Sequence, residues 1–554
     1  MKIHIAKDKE TLLTISKQYD EDINQLLSAN PHIPNSNLNL LGMKVYIPSK
    51  AQEAGMRTPL LECEIDPPKD LLSSWIPLTS LEKMAETTYD VLIVGTGAGG
   101  SAVLRRLCEK WGGNEKRIGI IESGDLLLPT HARNLPTMND ERFTKYFLGV
   151  SEWIGKTLPD FYGARQLFAL GGRTLFWGMA ALRMDISEIV KWPVSEKEMN
   201  YYYSIAEQVM NVTTGYTKGS SIQEILLKRL RENNFPEAAD VATPSDLEST
   251  KYGEIHSDVF WSSLSMFAYA LNHKPFDLAV NARAVEVFVE NGKAAGVKVM
   301  NPNKKAYFLK AKTIVLAGST IETPRLLLNS NIPGRAIGHY LTNHSFLLST
   351  GKVSRQEFTE TLGTLSLFIP QTKKRPYQIQ MGGPGGEGQW YHWYQPYEEK
   401  QLLDELLIGI SVFGKVESRF ENYLTLDPYE RDEYGVPKIN VNFSYSEKDK
   451  AIIQQMTAAL EQASLAMKTP LIPKGDQPAI CLMPPGTDYH EACTCRMGND
   501  PETSAVNRFG QIHGVPGLYV ADNSMLPSIG ATNPTLTTVA LSIRTADYII
   551  NTLK

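Results

Sequence analysis

The stretch DVLIVGTGAGGSAVLRRL, Asp90 to Leu107, limits the possible folds more than any other part of the chain. Its apolar run YDVLIVG suits a buried strand. After the glycines, SAVLRRLCEKW can bring Ala102, Leu104, Leu107, Cys108 and Trp111 onto one helix face. Gly95, Gly97 and Gly100 spell G-x-G-x-x-G. The first allows a tight turn, the second lets the backbone approach a pyrophosphate, and the third lets helix and strand pack closely. The helix N-terminus then offers unpaired N–H groups to an anion. A second strand, RIGIIESG, carries Glu122, 22 residues past Gly100, where a carboxylate can meet a ribose hydroxyl. Strand, turn, helix, strand and acid together predict a dinucleotide site in an α/β domain. The motif alone leaves NAD and FAD open.

The chain has 554 residues, too many for a single core, so two or three domains or an interleaved pair are expected. A net charge of −5 gives no footprint for nucleic acid. No run of about 18 apolar residues offers a membrane span. The opening MKIHIAKDKETLL has scattered charge and no apolar core of a leader, so a cytoplasmic location is expected. Cys493 and Cys495 lie two apart without a second pair, so no metal site is expected. Reduced thiols fit the five cysteines, with a Cys493–Cys495 redox pair as the alternative.

Residues 1–50 form a separate module. TLLTISKQYD and DINQLLSANP have helical spacing, with HIAK before and KVYIP after as short strands. This βααβ unit resembles the lysin motif (LysM), through TLLTISKQY, INQLLSANP and LGMKVYIP. The resemblance implies binding of N-acetylglucosamine polymers and association with a cell wall or spore coat. A docking module without sugar binding is the alternative. Residues 51–85, with Pro59, Pro67, Pro68 and Pro77, are expected to be a linker.

Further motifs recur in order from Tyr89 to Ile550. They include LGGRTLFWGMAALRM, AVEVFVENGKAAGVKV, AKTIVLAGSTIETPRLLLNS, AIGHYLTNHS, NYLTLDP and the long segment from Cys493 through GATNPTLTTVALSIRTADYI. In these the chain resembles the glucose–methanol–choline (GMC) family of FAD oxidoreductases. GGRTLFW, WP and YYYSIAE lean toward its pyranose-oxidase and sugar-dehydrogenase side. The resemblance implies a discontinuous Rossmann-like FAD domain over 86–200, 271–345 and 490–554. It implies an α+β substrate domain with an antiparallel sheet over 201–270 and 346–489. Gly95, Gly97, Gly100 and Glu122 would hold the ADP half of FAD, with Val285 against adenine. Gly171, Gly172, Thr174 and Gly178 would wrap pyrophosphate and flavin. Asp522 would lie by the ribityl chain, and Thr535 by the pyrimidine ring. Some relatives bind FAD through a histidine in the GGxxxHW turn. Phe176 stands there, so the FAD is expected to be non-covalent.

Oxidising an alcohol on a flavin needs a base for the hydroxyl proton and a polar group to hold the oxygen. His490 in DYHEACTCRMG matches the family's base, and Asn533 in GATNPTL matches its partner. Asn533 before Pro534 also fits a helix start. Relatives usually have glycine where Ala492 and Cys493 stand. His344 and His513 sit at family-typical places and are expected to be structural. His392, in QWYHWYQPY, belongs to an aromatic cluster suited to a sugar pocket or to plain loop packing. The expected enzyme oxidises a CH–OH of a sugar, glycoside or other alcohol. Its electrons would pass to oxygen, a quinone or a protein. Relatives on the sugar-oxidase side are often oligomers, so a homo-oligomer is expected. The rival readings are a peptidoglycan- or coat-associated binding protein on a flavin scaffold, and a GMC-fold flavoprotein with non-alcohol chemistry.

Overall fold

A computed structural model describes residues 2–48, 75–154, 161–246, 259–359, 362–384 and 403–553. The chain divides into two compact units, Met1–Lys69 and Asp70–Lys554.

In the smaller unit, strand Lys2–Ile5 is followed by helices Leu12–Tyr19 and Ile23–Ala29. Strand Lys44–Ile47 then pairs antiparallel with the first. Thr11 and Thr14 start the first helix as a reciprocal capping box. The Asp22 carboxylate starts the second by accepting the Asn24 and Gln25 N–H groups. Leu12, Ile15, Leu26, Val45 and Ile47 form a core of their own. Buried Asn30 donates to the Leu26 and Tyr46 carbonyls and accepts the Tyr46 N–H, so one side chain ties helix to strand.

Among the described residues, the larger unit contains two seven-stranded sheets. Strand Thr88–Val94 lies inside the first. Alternation sends Val91 and Ile93 to one face and Leu92 and Val94 to the other, and both faces are buried. Its parallel neighbours are Ile118–Ile121 and Ala306–Leu316; Asp277–Ala279 and Leu518–Val520 pair parallel with these two in turn. Arg283–Glu290, Lys293–Met300 and Ala306–Leu316 continue it as an antiparallel meander. Helix Ala98–Trp111 buries Val103, Leu104 and Leu107 against one face. Helices Glu196–Val209 and Thr535–Thr552 cover the other through Met199, Tyr203, Leu536 and Val539.

The second sheet is built on antiparallel strands Leu365–Ile369, Tyr377–Gly383, Glu405–Lys415 and His344–Ser354. Ile379, Met381, Ile410 and Val412 point to helices Ser221–Glu232 and Glu447–Met467. The period of two therefore turns Gln378, Gln380 and Phe413 to the opposite face.

Three expectations are corrected or left aside. Of the expected linker, residues 51–74 lie outside the described residues, and the rest is already part of the larger unit. There the Thr79 N–H donates to the Leu278 carbonyl, and helix Leu81–Ala85 buries Leu81 and Met84. The prolines masked a local signal, the Ser80 cap and an i, i+3 apolar pair. The expected boundary at 200/201 cuts through helix Glu196–Val209, whose Tyr203 hydroxyl meets Thr537 Oγ1 at 2.8 Å. Helix Leu264–Leu271 likewise packs Leu264 and Phe267 into the first sheet's core. The aromatic cluster around His392 lies outside the described residues. Among those residues no helix is long and apolar enough to cross a membrane.

Candidate active site

Between strand Thr88–Val94 and helix Ala98–Trp111 the backbone turns at Gly95, with φ +104°, a region closed to most side chains. A Cβ on Gly100 would strike the Gly95 carbonyl, and one on Gly99 would strike the Ala521 carbonyl. A Cβ on Gly97 would meet nothing within 4 Å. Gly97 opens onto a cavity of about 470 Å3, within the range of ligand sites.

The expected site residues converge on this cavity. Gly95, Gly97, Glu122, Gly172, Thr174 and Gly178 line it. So do Asp522, Thr535, His490 and Asn533. Gly100 and Gly171 stand behind the lining, shaping the two glycine turns; Gly171 has φ +94°. Val285 is buried in its strand, with its carbonyl accepting from Asn329 Nδ2 at 2.7 Å. Its neighbours Ala282, Arg283 and Ala284 reach the cavity instead.

Glu122 is buried and held by the turn itself. Its Oε2 accepts the Thr96 N–H and hydroxyl at 3.1 and 2.6 Å, and its Oε1 accepts the Gly124 N–H at 3.0 Å. Burial pushes its carboxyl above the usual range. Thr96 Oγ1 also accepts the Gly171 N–H at 3.0 Å, joining the two glycine turns. Asp522 has Oδ2 on the Ser319 N–H and Thr323 hydroxyl and Oδ1 on the Ser524 N–H and hydroxyl. Its four acceptor positions are filled by protein, so it fixes two turns bordering the cavity. Thr535 opens the C-terminal helix, which no side chain caps, leaving its first N–H groups without a helical partner. Phe176 is buried edge-to-face with Phe143, their ring centres 5.5 Å apart.

His490 Nε2 lies 3.4 Å from Asn533 Nδ2. Asn533 therefore does not cap its helix. Its Oδ1 accepts from Gln378 Nε2 at 2.8 Å and from Gln380 Nε2 at 2.5 Å. Two donors on Oδ1 leave the Asn533 NH2 facing His490, which makes Nε2 the ring's lone-pair side. The proton then sits on Nδ1, 3.1 Å from His344 Nδ1. His490 is thus the neutral tautomer a base requires. Burial and the nearby Arg173 cation depress its pKa to about 3. His344 is fully buried, and its pKa falls well below the ordinary value through burial and the neighbouring His490.

Asp488 stands behind both imidazoles, with Oδ2 3.5 Å from His344 Nδ1 and 3.7 Å from His490 Nδ1. It accepts the His344 backbone N–H at 2.9 Å and Asn343 Nδ2 at 3.2 Å. Burial and the charge of Glu491 raise its pKa to about 7. Ligand atoms of His344, Asp488 and His490 lie within 4.8 Å of one another, a spacing that also suits a metal ion. Tyr489 and Cys493, with φ 56° and 76°, bracket the His490 segment in left-handed backbone. Cys493 and Cys495 are free and buried, and burial raises both thiol pKa values. Cys63 lies outside the described residues. His513 bonds Ser504 Oγ at 3.0 Å and is not among the cavity's lining.

The description "GMC oxidoreductase" matches residues 89–346 with its N-terminal part and 418–542 with its C-terminal part. The chain belongs to the GMC oxidoreductase family. Both parts together cover well over half of it, including the glycine turn, His490 and Asn533. C-glycoside 3-oxidase of Arthrobacter globiformis is 26% identical over 399 residues, 69% of this chain and 74% of that protein. 2-Methyl-1,2-propanediol dehydrogenase of Mycolicibacterium austroafricanum is 24% identical over 549 residues, 83% of this chain and 95% of that protein. Among solved structures, pyridoxine 4-oxidase from Mesorbium loti shares the fold. The TM-score is 0.60 at 14% identity, covering 83% of this chain and 99% of that one. The chain is a GMC-type oxidoreductase with a mixed α/β fold.

Proposed function

We propose that this oxidoreductase uses non-covalent FAD to convert a CH–OH of a sugar, glycoside or other alcohol to a carbonyl. The observation that carries the reading is the meeting of His490 Nε2 and Asn533 Nδ2, 3.4 Å apart, in the cavity that Gly97 opens onto. The glycine cradle suits FAD: Gly97 leaves room where a pyrophosphate would approach, and the helix behind it presents free N–H groups. Gly95, Gly97 and Glu122 would hold the ADP half, and Gly172, Thr174 and Gly178 the flavin half. Asp522 would shape the turn under the ribityl chain, and the Thr535 helix end would face the pyrimidine ring. Phe176 has no nucleophile for a covalent link.

Bound FAD supplies the two-electron acceptor for the hydride that leaves the substrate carbon. His490 Nε2 takes the hydroxyl proton, and the Asn533 NH2 donates to the same oxygen and aims the carbon. Asp488 faces the imidazolium that results. Relatives named for glycoside and diol oxidation agree with a polyol substrate. Oxygen, a quinone or a protein takes the electrons onward. The first sheet with its helices serves as the FAD domain and the second sheet as the substrate domain. The βααβ unit serves as a lysin motif that docks on N-acetylglucosamine glycan.

Anaerobic mixing of the yellow holoprotein with a panel of sugars and alcohols tests the reading. At least one polyol should bleach the flavin and yield the matching carbonyl. A flavin left oxidised by every alcohol would refute it.

A further inference from the structure

Three ligand atoms converge behind the His490 ring. His344 Nδ1 and His490 Nδ1 are 3.1 Å apart, and Asp488 Oδ2 lies 3.5 Å from the first and 3.7 Å from the second. Hydrogen bonds account for only one side of this triangle. A single N–H can bridge the two imidazoles, but 3.5 and 3.7 Å exceed the N–H···O range of about 2.7–3.2 Å. Neither ring therefore bonds the carboxylate that both of them face.

A cation shared by all three atoms would close the triangle. Ligand atoms about 2.0–2.2 Å from a tetrahedral Zn²⁺ stand about 3.3–3.6 Å from one another, and the three separations straddle that range. Two imidazoles and one carboxylate are also the donors of a three-ligand zinc site. The supports of such a site are present. Asn343 Nδ2 donates to Asp488 Oδ1 and the His344 N–H to Oδ2, which still leaves Oδ2 a lone pair. Phe413 packs on both rings, with centres 5.5 Å from His344 and 5.3 Å from His490, as an apolar shell. The side chains of His344 and Asp488 are fully buried and that of His490 is 16% exposed. Asp488 and His490 line the cavity, which gives an ion a way in.

We propose that His344, Asp488 and His490 form a binding site for a divalent cation of the zinc class, and that the bound ion switches the enzyme off. The site stands on the geometry alone; the switch rests on the alcohol-oxidation reading above. A metal on His490 Nδ1 moves the ring's proton to Nε2. The ring gains and loses no proton, but it then turns an N–H toward Asn533 and the substrate oxygen. The lone pair that would take the hydroxyl proton is gone until the ion leaves.

The test uses holoenzyme stripped with EDTA and then given Zn²⁺ at about pH 8, where Asp488 is charged. One Zn²⁺ per chain should stay bound through gel filtration. His344→Phe and Asp488→Asn should each weaken binding by about 100-fold or more, beyond the roughly 10- to 100-fold that loss of a supporting partner costs. Should either variant fail to fold, X-ray absorption of the wild type decides, with two imidazole nitrogens and one carboxylate oxygen expected at about 2.0–2.2 Å. Flavin reduction by a substrate, without oxygen, should slow by about 100-fold or more with Zn²⁺ and recover with EDTA, while dithionite still bleaches the loaded enzyme. Zn²⁺ lost on the column, a different ligand set, or unchanged affinity in both variants overturns the site. Zn²⁺ bound without slowing flavin reduction overturns the switch. If no alcohol bleaches the flavin even without Zn²⁺, the oxidation reading and the switch fall together, and the binding and absorption results still judge the site.

Discussion

Asp488 is buried and His490 half-buried, and desolvation drives their pKa values in opposite directions. His490, lowered to about 3, keeps its lone pair at neutral pH. Asp488, raised to about 7, holds its proton far above the unfolded carboxyl value of about 3.9. A group raised on folding favours the native state below its unfolded pKa and loses that contribution as pH climbs through the folded one. The wild-type melting temperature should therefore fall between about pH 4 and about pH 7, and Asp488→Asn should remove part of that fall. Equal slopes in both proteins would show that Asp488 does not titrate as described. His490 and Asn533 could be singled out as candidates because His490 sits seven residues before the MG pair and Asn533 directly precedes Pro534. The groups that orient them could not, since His344, Gln378 and Gln380 come from strands far along the chain. The one local signal was YQIQM, where two glutamines two apart interrupt an apolar strand on one face.

At the scale of elements, the strand–turn–helix unit does two jobs with two glycines that flank Ala98. Gly99 lets the helix press on the carbonyl of Ala521, whereas Gly97 clears space facing the cavity. Gly99→Ala should lower the melting temperature even without FAD, by the roughly 1–3 kcal/mol of an overpacked contact. Gly97→Ala should leave the apoprotein's melting temperature unchanged yet weaken FAD binding about tenfold or more, by holding the pyrophosphate off the helix N–H groups. Calorimetry of the apoproteins and flavin titration check both, and a Gly97→Ala protein that binds FAD normally would contradict the cradle. The sequence motif marked this unit correctly but assigned close packing to Gly100 alone. The Gly99 contact is long-range, and only the folded C-terminal segment shows it. Val285 stands off the cavity's lining, where Ala284 reaches it, because strand register is set by pairing with Lys293–Met300.

The whole molecule joins two units with separate cores, and the account gives each its own task. If the βααβ unit is a lysin motif, the full chain should sediment with insoluble peptidoglycan, and a chain beginning at Asp70 should stay in solution while still oxidising alcohols. Co-sedimentation of the shortened chain would assign the binding elsewhere. The overall architecture was readable because strand, turn and helix signals repeat in family order. The division between its layers was less so, because helices Glu196–Val209 and Leu264–Leu271 return to the first sheet from within the expected second domain. The central claim is that His490 takes a proton from an alcohol in a flavin-bearing cavity. Stopped-flow mixing of wild type and His490→Ala with a substrate, without oxygen, tests it most directly. The variant should retain its FAD while flavin reduction slows by about 10²- to 10⁴-fold; reduction at the wild-type rate would contradict the account.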